Sequence, residues 1–217
     1  MKIHTHRIGQ RAALLPACLL VLITGCGQSS ADPQDVFMKG SESAVIDVIQ
    51  ENTNPSSPDP EWFKLLNDIW HERAVAHPDF AWEILKQPRV RVTVASQLAQ
   101  SYRNGLVEID VREFRKFAEA NLSSTDNRVV RDTIVLIGEL GDPADVQLLA
   151  NLARNGVNGK RVLRDASLAL NFICGDEARR ALENIGTEVS GDDAKHVTAL
   201  LNNRAASLGP WCKQPSR

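Results

Sequence analysis

No stretch of this chain of 217 residues carries the roughly 20 consecutive apolar residues that a membrane-crossing helix needs. The apolar run Ala12 to Ile23 is about a dozen residues long and contains Pro16, a helix breaker. An excess of basic charge is missing too, since 25 Lys and Arg stand against 27 Asp and Glu. Nucleic-acid binders are usually basic, so no nucleic-acid partner is expected. Catalytic signatures are scarce. No GxSxG nucleophile motif occurs. His71 and His77 lie six residues apart in "HERAVAH". At 100° per residue that spacing turns the second ring about 240° around a helix, so the two cannot share a face as zinc-binding pairs do. "NGVNGK", Asn155 to Lys160, lacks the preceding strand and following hydroxyl of a phosphate loop, and reads as an inter-helix turn. No metal, no cofactor and no catalysis are expected.

What is present begins at the N-terminus. Lys2, Arg7 and Arg11 form a basic opening before the short apolar run, and small residues end it, the layout of a secretory signal. "ITGC", Ile23 to Cys26, resembles the lipobox of bacterial lipoproteins. That resemblance implies cleavage before Cys26, acylation of its thiol and amine, and attachment to a membrane by lipid. Two or three acyl chains anchor stably where one holds only marginally. Gly27 follows the cysteine where inner-membrane retention signals of that family have Asp. The resemblance therefore favours an outer membrane facing the periplasm in a host with two membranes. Loss of residues 1–25 would leave 22 basic against 27 acidic residues, a net charge of −5.

Cysteine is otherwise rare. Of four, Cys18 would leave with the signal and Cys26 would be acylated. Cys174 and Cys212 remain, in a compartment where disulfides persist. Either they pair, or Cys174 is a small buried hydrophobe at the end of an apolar helix pattern.

Residues 26–58 read as the lipidated N-terminus and a flexible tether, with a short helix within "SESAVIDVIQ". Residues 59–87 read as N-terminal helices that cap a repeat region spanning residues 88–206, and residues 207–217 read as a tail. Asp59 and Pro60 supply a cap and a first turn, and Pro78 and Asp79 a stop and a restart. Trp62, Phe63, Trp70, Phe80 and Trp82 concentrate there, either as core or as an exposed anchor patch. Within the repeat region, "RVVRDTIVLIGELGDPADVQLLANLA" from Arg128 returns as "RVLRDASLALNFICGDEARRALENIG" from Arg161, 33 residues on. Val130, Leu140, Leu149 and Leu152 correspond to Leu163, Ile173, Leu182 and Ile185. Gly141, Asp142 and Pro143 can end one helix and begin the next, and Gly175-Asp176 can do so one residue later. One helix hairpin cannot bury both apolar faces, so the units are expected to stack as an all-α, short α-solenoid.

These residues resemble the HEAT repeat, particularly the HEAT-like type of phycobilisome lyases. The resemblance covers Arg128 to Ile185 well and Pro88 to Ala206 more weakly. It implies a fold that presents binding surfaces, with the second helices lining the concave face. Polar residues expected on that face are Arg112, Arg115, Lys116, Gln147, Asn151, Arg154, Arg179 and Arg180. They read either as a basic row for an acidic protein partner or as an ordinary solvated face. Arg131, Asp132, Arg164 and Asp165 recur in register, as an inter-repeat ion ladder or as a ligand site. The expected function is a lipid-anchored envelope scaffold or adaptor without catalysis, for a protein partner the sequence does not identify. The alternatives are an envelope inhibitor or immunity lipoprotein, and a HEAT-like lyase or ligand-binding protein, which the export signal disfavours.

Overall fold

Aspartate opens five of the helical segments. Asp32, Asp59, Asp110, Asp126 and Asp142 each accept a hydrogen bond from the N–H two residues on. Pro33, Pro60 and Pro143 follow three of them directly, with the backbone angle of a first turn already set. The computed structural model describes residues 32–52, 59–208 and 212. Among these residues there are eleven α-helices and no strand. They are α1 (Pro33–Lys39), α2 (Glu42–Asn52), α3 (Pro60–Trp70), α4 (Trp82–Leu85), α5 (Pro88–Arg103) and α6 (Val111–Asn121). Then come α7 (Asn127–Leu140), α8 (Val146–Asn155) after a 3-10 turn at Pro143–Asp145, α9 (Leu163–Phe172), α10 (Asp176–Glu188) and α11 (Gly191–Leu208). Residues 1–31, Cys26 among them, lie outside the described residues, so the lipidation expectation is not addressed.

Helices α5, α7, α9 and α11 pack each on the next. Helix α6 packs on α7, α8 on α9 and α10, and α10 on α11. All four residue pairs equated by the 33-residue spacing are buried in both copies. Contact between α7 and α9 is close enough to reach the backbone. A Cβ at Gly138 would stand 2.5 Å from the Ala169 Cα, so no larger residue fits there without separating the helices.

The N-terminal helices pack differently. Helices α2 and α3 lie on α5, and α1 lies on α2. Phe37 is fully buried, 5.9 Å from the Trp62 ring and 5.5 Å from Phe80. Trp70 stacks on Phe114 at 4.3 Å and meets Phe117 edge-on at 5.0 Å. Trp62, Phe63 and Trp70 are core, and Phe80 and Trp82 pack partly buried against it.

Five expectations are corrected. The segment read as tether contains, besides the short helix expected within "SESAVIDVIQ" (α2), a further helix, α1, held by its buried side chains because Phe37 finds aromatic partners in α3 and the loop after it. Helix α3 stops at Trp70 rather than near Pro78, because Glu72 enters the left-handed region (φ 52°) and Arg91 donates to the Ile69 and Trp70 carbonyls. Asp79 caps nothing, since α4 begins after Ala81. Gly175 occupies the N-cap of α10 with no side-chain cap, and Asp176 is already helical. The helical region does not end at 206, because α11 runs to Leu208, and beyond it Cys212 is bonded to Cys174 across 38 residues, with the Cα atoms 5.4 Å apart, which is the pairing alternative for the two cysteines.

Candidate functional site

The charged residues shared by the repeats form rungs between neighbouring helices. Arg89 Nε lies 3.7 Å from Asp132, Arg131 Nε donates to Asp165 at 3.0 Å, and Arg164 Nε donates to Asp193 at 3.0 Å. Arg161 also pairs with Asp193. In the last two rungs the carboxylates sit inward and the arginines outward, and each ties the start of one helix to the start of the next. Hydrogen bonding from Arg164 holds the Asp193 carboxyl below its ordinary range. Burial pushes the Asp132 carboxyl up, against the pull of Arg89. The ladder alternative thus describes Arg131, Asp132, Arg164 and Asp165.

Half of the residues expected to form a basic row are engaged with acidic neighbours. Arg115 binds Asp142 at 2.6 Å and Asp145 at 2.8 Å. Gln147 donates to Glu177 at 3.2 Å, and Arg154 grips Glu188 with two bonds of 2.7 and 3.0 Å. Arg179 donates to Glu183 at 2.9 Å. Arg112, Lys116, Asn151 and Arg180 are not buried. Acidic residues, most of them on the following unit, engage half the row, which a helix-by-helix reading does not see.

The ladder borders a cavity of about 540 Å³, within the usual size of a ligand cleft. Val130, Val157 and Leu163 give it an apolar part, and Arg131, Lys160 and Arg164 a basic one. One wall is the "VNGK" segment of "NGVNGK", a two-residue hairpin. Val157 and Lys160 exchange both backbone hydrogen bonds at 2.9 Å. Asn158 and Gly159 have φ 50° and 71°, the positive pair of a type I′ turn. Gly156 admits no side chain, because a Cβ there would collide with the Lys160 carbonyl. Asn158 Nδ2 donates to the Leu122 carbonyl at 3.3 Å, fixing the hairpin to the preceding unit. Arg131 and Arg164 engage their aspartates through Nε, which leaves the terminal amino groups of each guanidinium for a ligand.

Elsewhere three buried charged side chains, Arg103, Glu139 and Arg204, brace the stack. Arg103 Nη2 lies 2.7 Å from Glu139 Oε2, with the side chains 8 % and 7 % exposed, and its guanidinium covers Phe172 at 4.8 Å. Burial pushes the Glu139 carboxyl up to about 7 despite that arginine. Arg204 donates to the Leu170, Asn171 and Ile173 carbonyls at 3.1, 3.0 and 2.5 Å, occupying the C-terminal end of α9. His77 Nε2 lies 3.2 Å from Asp68 and stacks on Phe80. Among the described residues no three His, Cys, Asp or Glu side chains are grouped to hold a metal, and no helix is long and apolar enough to cross a membrane.

Sequence reading missed Lys160, Arg161 and Val157 as lining and Asp193 as the last rung. The Asn-Gly pair was the available signal for a hairpin. Asp193 lies 28 rather than 33 residues beyond Asp165, out of register with the repeat. Comparison with protein families, curated proteins and solved structures finds no match to this chain.

Proposed function

We propose that this chain is a lipid-anchored cell-envelope protein that holds an acidic segment of a protein partner on a short α-solenoid of HEAT-like hairpins. The solenoid reading is supported by the neighbour-to-neighbour packing of α5, α7, α9 and α11 and by the buried residues that recur at the 33-residue spacing. Attachment rests on the lipobox resemblance at Cys26, which favours the outer membrane of a host with two. The observation that carries the binding role is the cavity beside the ladder, preformed by the hairpin and bordered by Arg131, Lys160, Arg161 and Arg164. Of its three aspartates, those at 165 and 193 are engaged by arginines and Asp192 by Lys195, so an incoming carboxylate meets paired acids and unused guanidinium donors. An apolar side chain beside that carboxylate would fill the part lined by Val130, Val157 and Leu163. No catalytic step is assigned to the site.

The test is co-purification after crosslinking in solubilised envelopes, comparing the native chain with Lys160→Glu/Arg161→Glu. A stoichiometric partner recovered with the native chain and lost with the variant is the expected result. Recovery of no partner, or equal recovery with both, overturns the binding role. Cys26→Ala should give unlipidated precursor or soluble protein, and unchanged membrane attachment would sink the anchor.

A further inference from the structure

Among the described residues only one large apolar side chain stands almost wholly in solvent. Val75 is 98 % exposed, at the crown of the loop 71–77, with Ala74 and Ala76 exposed on either side. This crown is not slack. The N–H groups of Glu72, Arg73, Ala74, Ala76 and His77 all donate to loop or α3 carbonyls. Asp68, itself buried, holds the loop from beneath through Arg73 at 2.8 Å and His77 at 3.2 Å. The loop's charges are internally matched. Arg73 is paired to Asp68, and Glu72 to Lys86 at 3.5 Å and Arg91 at 3.3 Å. A rigid loop with matched charge and an apolar crown carries little desolvation cost into a polar–apolar boundary.

The chain's own length says what that boundary is. The described residues begin at Asp32, only six positions after Cys26, and α1 and α2 lie within the segment read as tether. Even fully extended, the chain from Cys26 to Asp32 reaches about 20 Å. Asp32 and His77 border one cavity of about 300 Å³, and Ala81 N–H donates to the Phe37 carbonyl at 2.8 Å. The end of the body that the lipid must hold close to a bilayer is therefore the end that carries the crown.

We infer that the loop 71–77 docks on the lipid surface to which Cys26 is anchored, with Val75 inserted among the headgroups. The inference rests on the lipoprotein reading above. One valine is too small to recruit a free protein to a bilayer, but the tether makes the contact intramolecular, and it then sets orientation rather than affinity. The body is presented to partners at a fixed angle instead of tumbling on its leash.

The experiment uses the full lipidated chain in vesicles of phosphatidylethanolamine and phosphatidylglycerol, with a nitroxide on Val75→Cys. The control carries the label on Leu148→Cys, in α8. Collision rates with oxygen and with a water-soluble nickel complex are measured after flotation. Docking predicts an oxygen-to-nickel ratio several-fold higher at position 75 than at 148. It also predicts that Val75→Asp returns a label on Ala76→Cys to the ratio seen at 148. Protein that floats with a water-like position 75 overturns the docking and leaves the anchor standing. Protein that fails to float overturns both.

Discussion

The N-terminal helices and the repeat bury their cores by different means. Around α1 to α4, a few large rings do the packing, with Phe37 between Trp62 and Phe80 and Trp70 between Phe114 and Phe117. From α7 onward the buried residues are aliphatic and small, down to bare backbone at Gly138 against Ala169. There, equivalent positions recur, and ion pairs recur along the edges with them. Stability in the first region is concentrated in single side chains. In the second it is spread over many similar contacts, pinned by one covalent bond near its end.

Trp70→Ala is the hardest test of that contrast. It empties the space between two rings and removes the surface under Arg91, whose guanidinium lies 4.6 Å from the indole. Large aromatic deletions in cores cost about 3–5 kcal/mol. Urea unfolding should show a loss of that size, and a loss below about 1 kcal/mol would break the comparison. Reducing the Cys174–Cys212 bond comes next. Closing a loop of this length contributes about 2–4 kcal/mol. Hydrogen exchange should quicken first in α11 and leave α3 unchanged; uniform quickening would mean the two regions unfold as one.

A smaller effect isolates the buried pair in the repeat. Glu139 titrates near 7 in the folded chain, against an ordinary value of 4.5. Between those values the folded state binds more protons than the unfolded one, so stability falls as pH rises through that window, by at most about 1.4 kcal/mol per unit. Glu139→Gln should flatten this slope in urea midpoints taken from pH 5 to 8. An unchanged slope would place the titration elsewhere. Asp193, whose pKa is lowered, acts in the opposite sense and below that window. Smallest of all is a single rung. Arg131→Ala should cost no more than about 1 kcal/mol in the same urea titration, because its side chain is more than half exposed.

The repeat was legible because it is local and periodic. Gly141 takes φ 70° at the end of α7, and Asp142 caps the turn after it, as the residues predict. The all-helical class followed from the same kind of signal. Features built by distant partners were not legible. Phe37 sits in seven helical residues without a period of its own, and only Trp62 and Phe80 make it core. Nothing local marks Arg103 and Glu139 as a pair before α5 and α7 bring them together across 36 positions. The end of α3 was misplaced because Arg91, from another helix, takes the terminal carbonyls. The partners of Arg115, Gln147 and Arg154 in the basic row were hidden for the same reason, since Asp142, Asp145, Glu177 and Glu188 lie on the next unit.

The bond between Cys174 and Cys212 makes a covalent ring that encloses all of α10 and α11. A protease that cuts the backbone once inside that ring releases nothing. Both new ends stay joined through sulfur, and Arg204 still grips α9 from its own side of most such cuts. On a gel the nicked chain runs as one species until thiol is added and as two afterwards. The terminal hairpin is thus built to survive being cut.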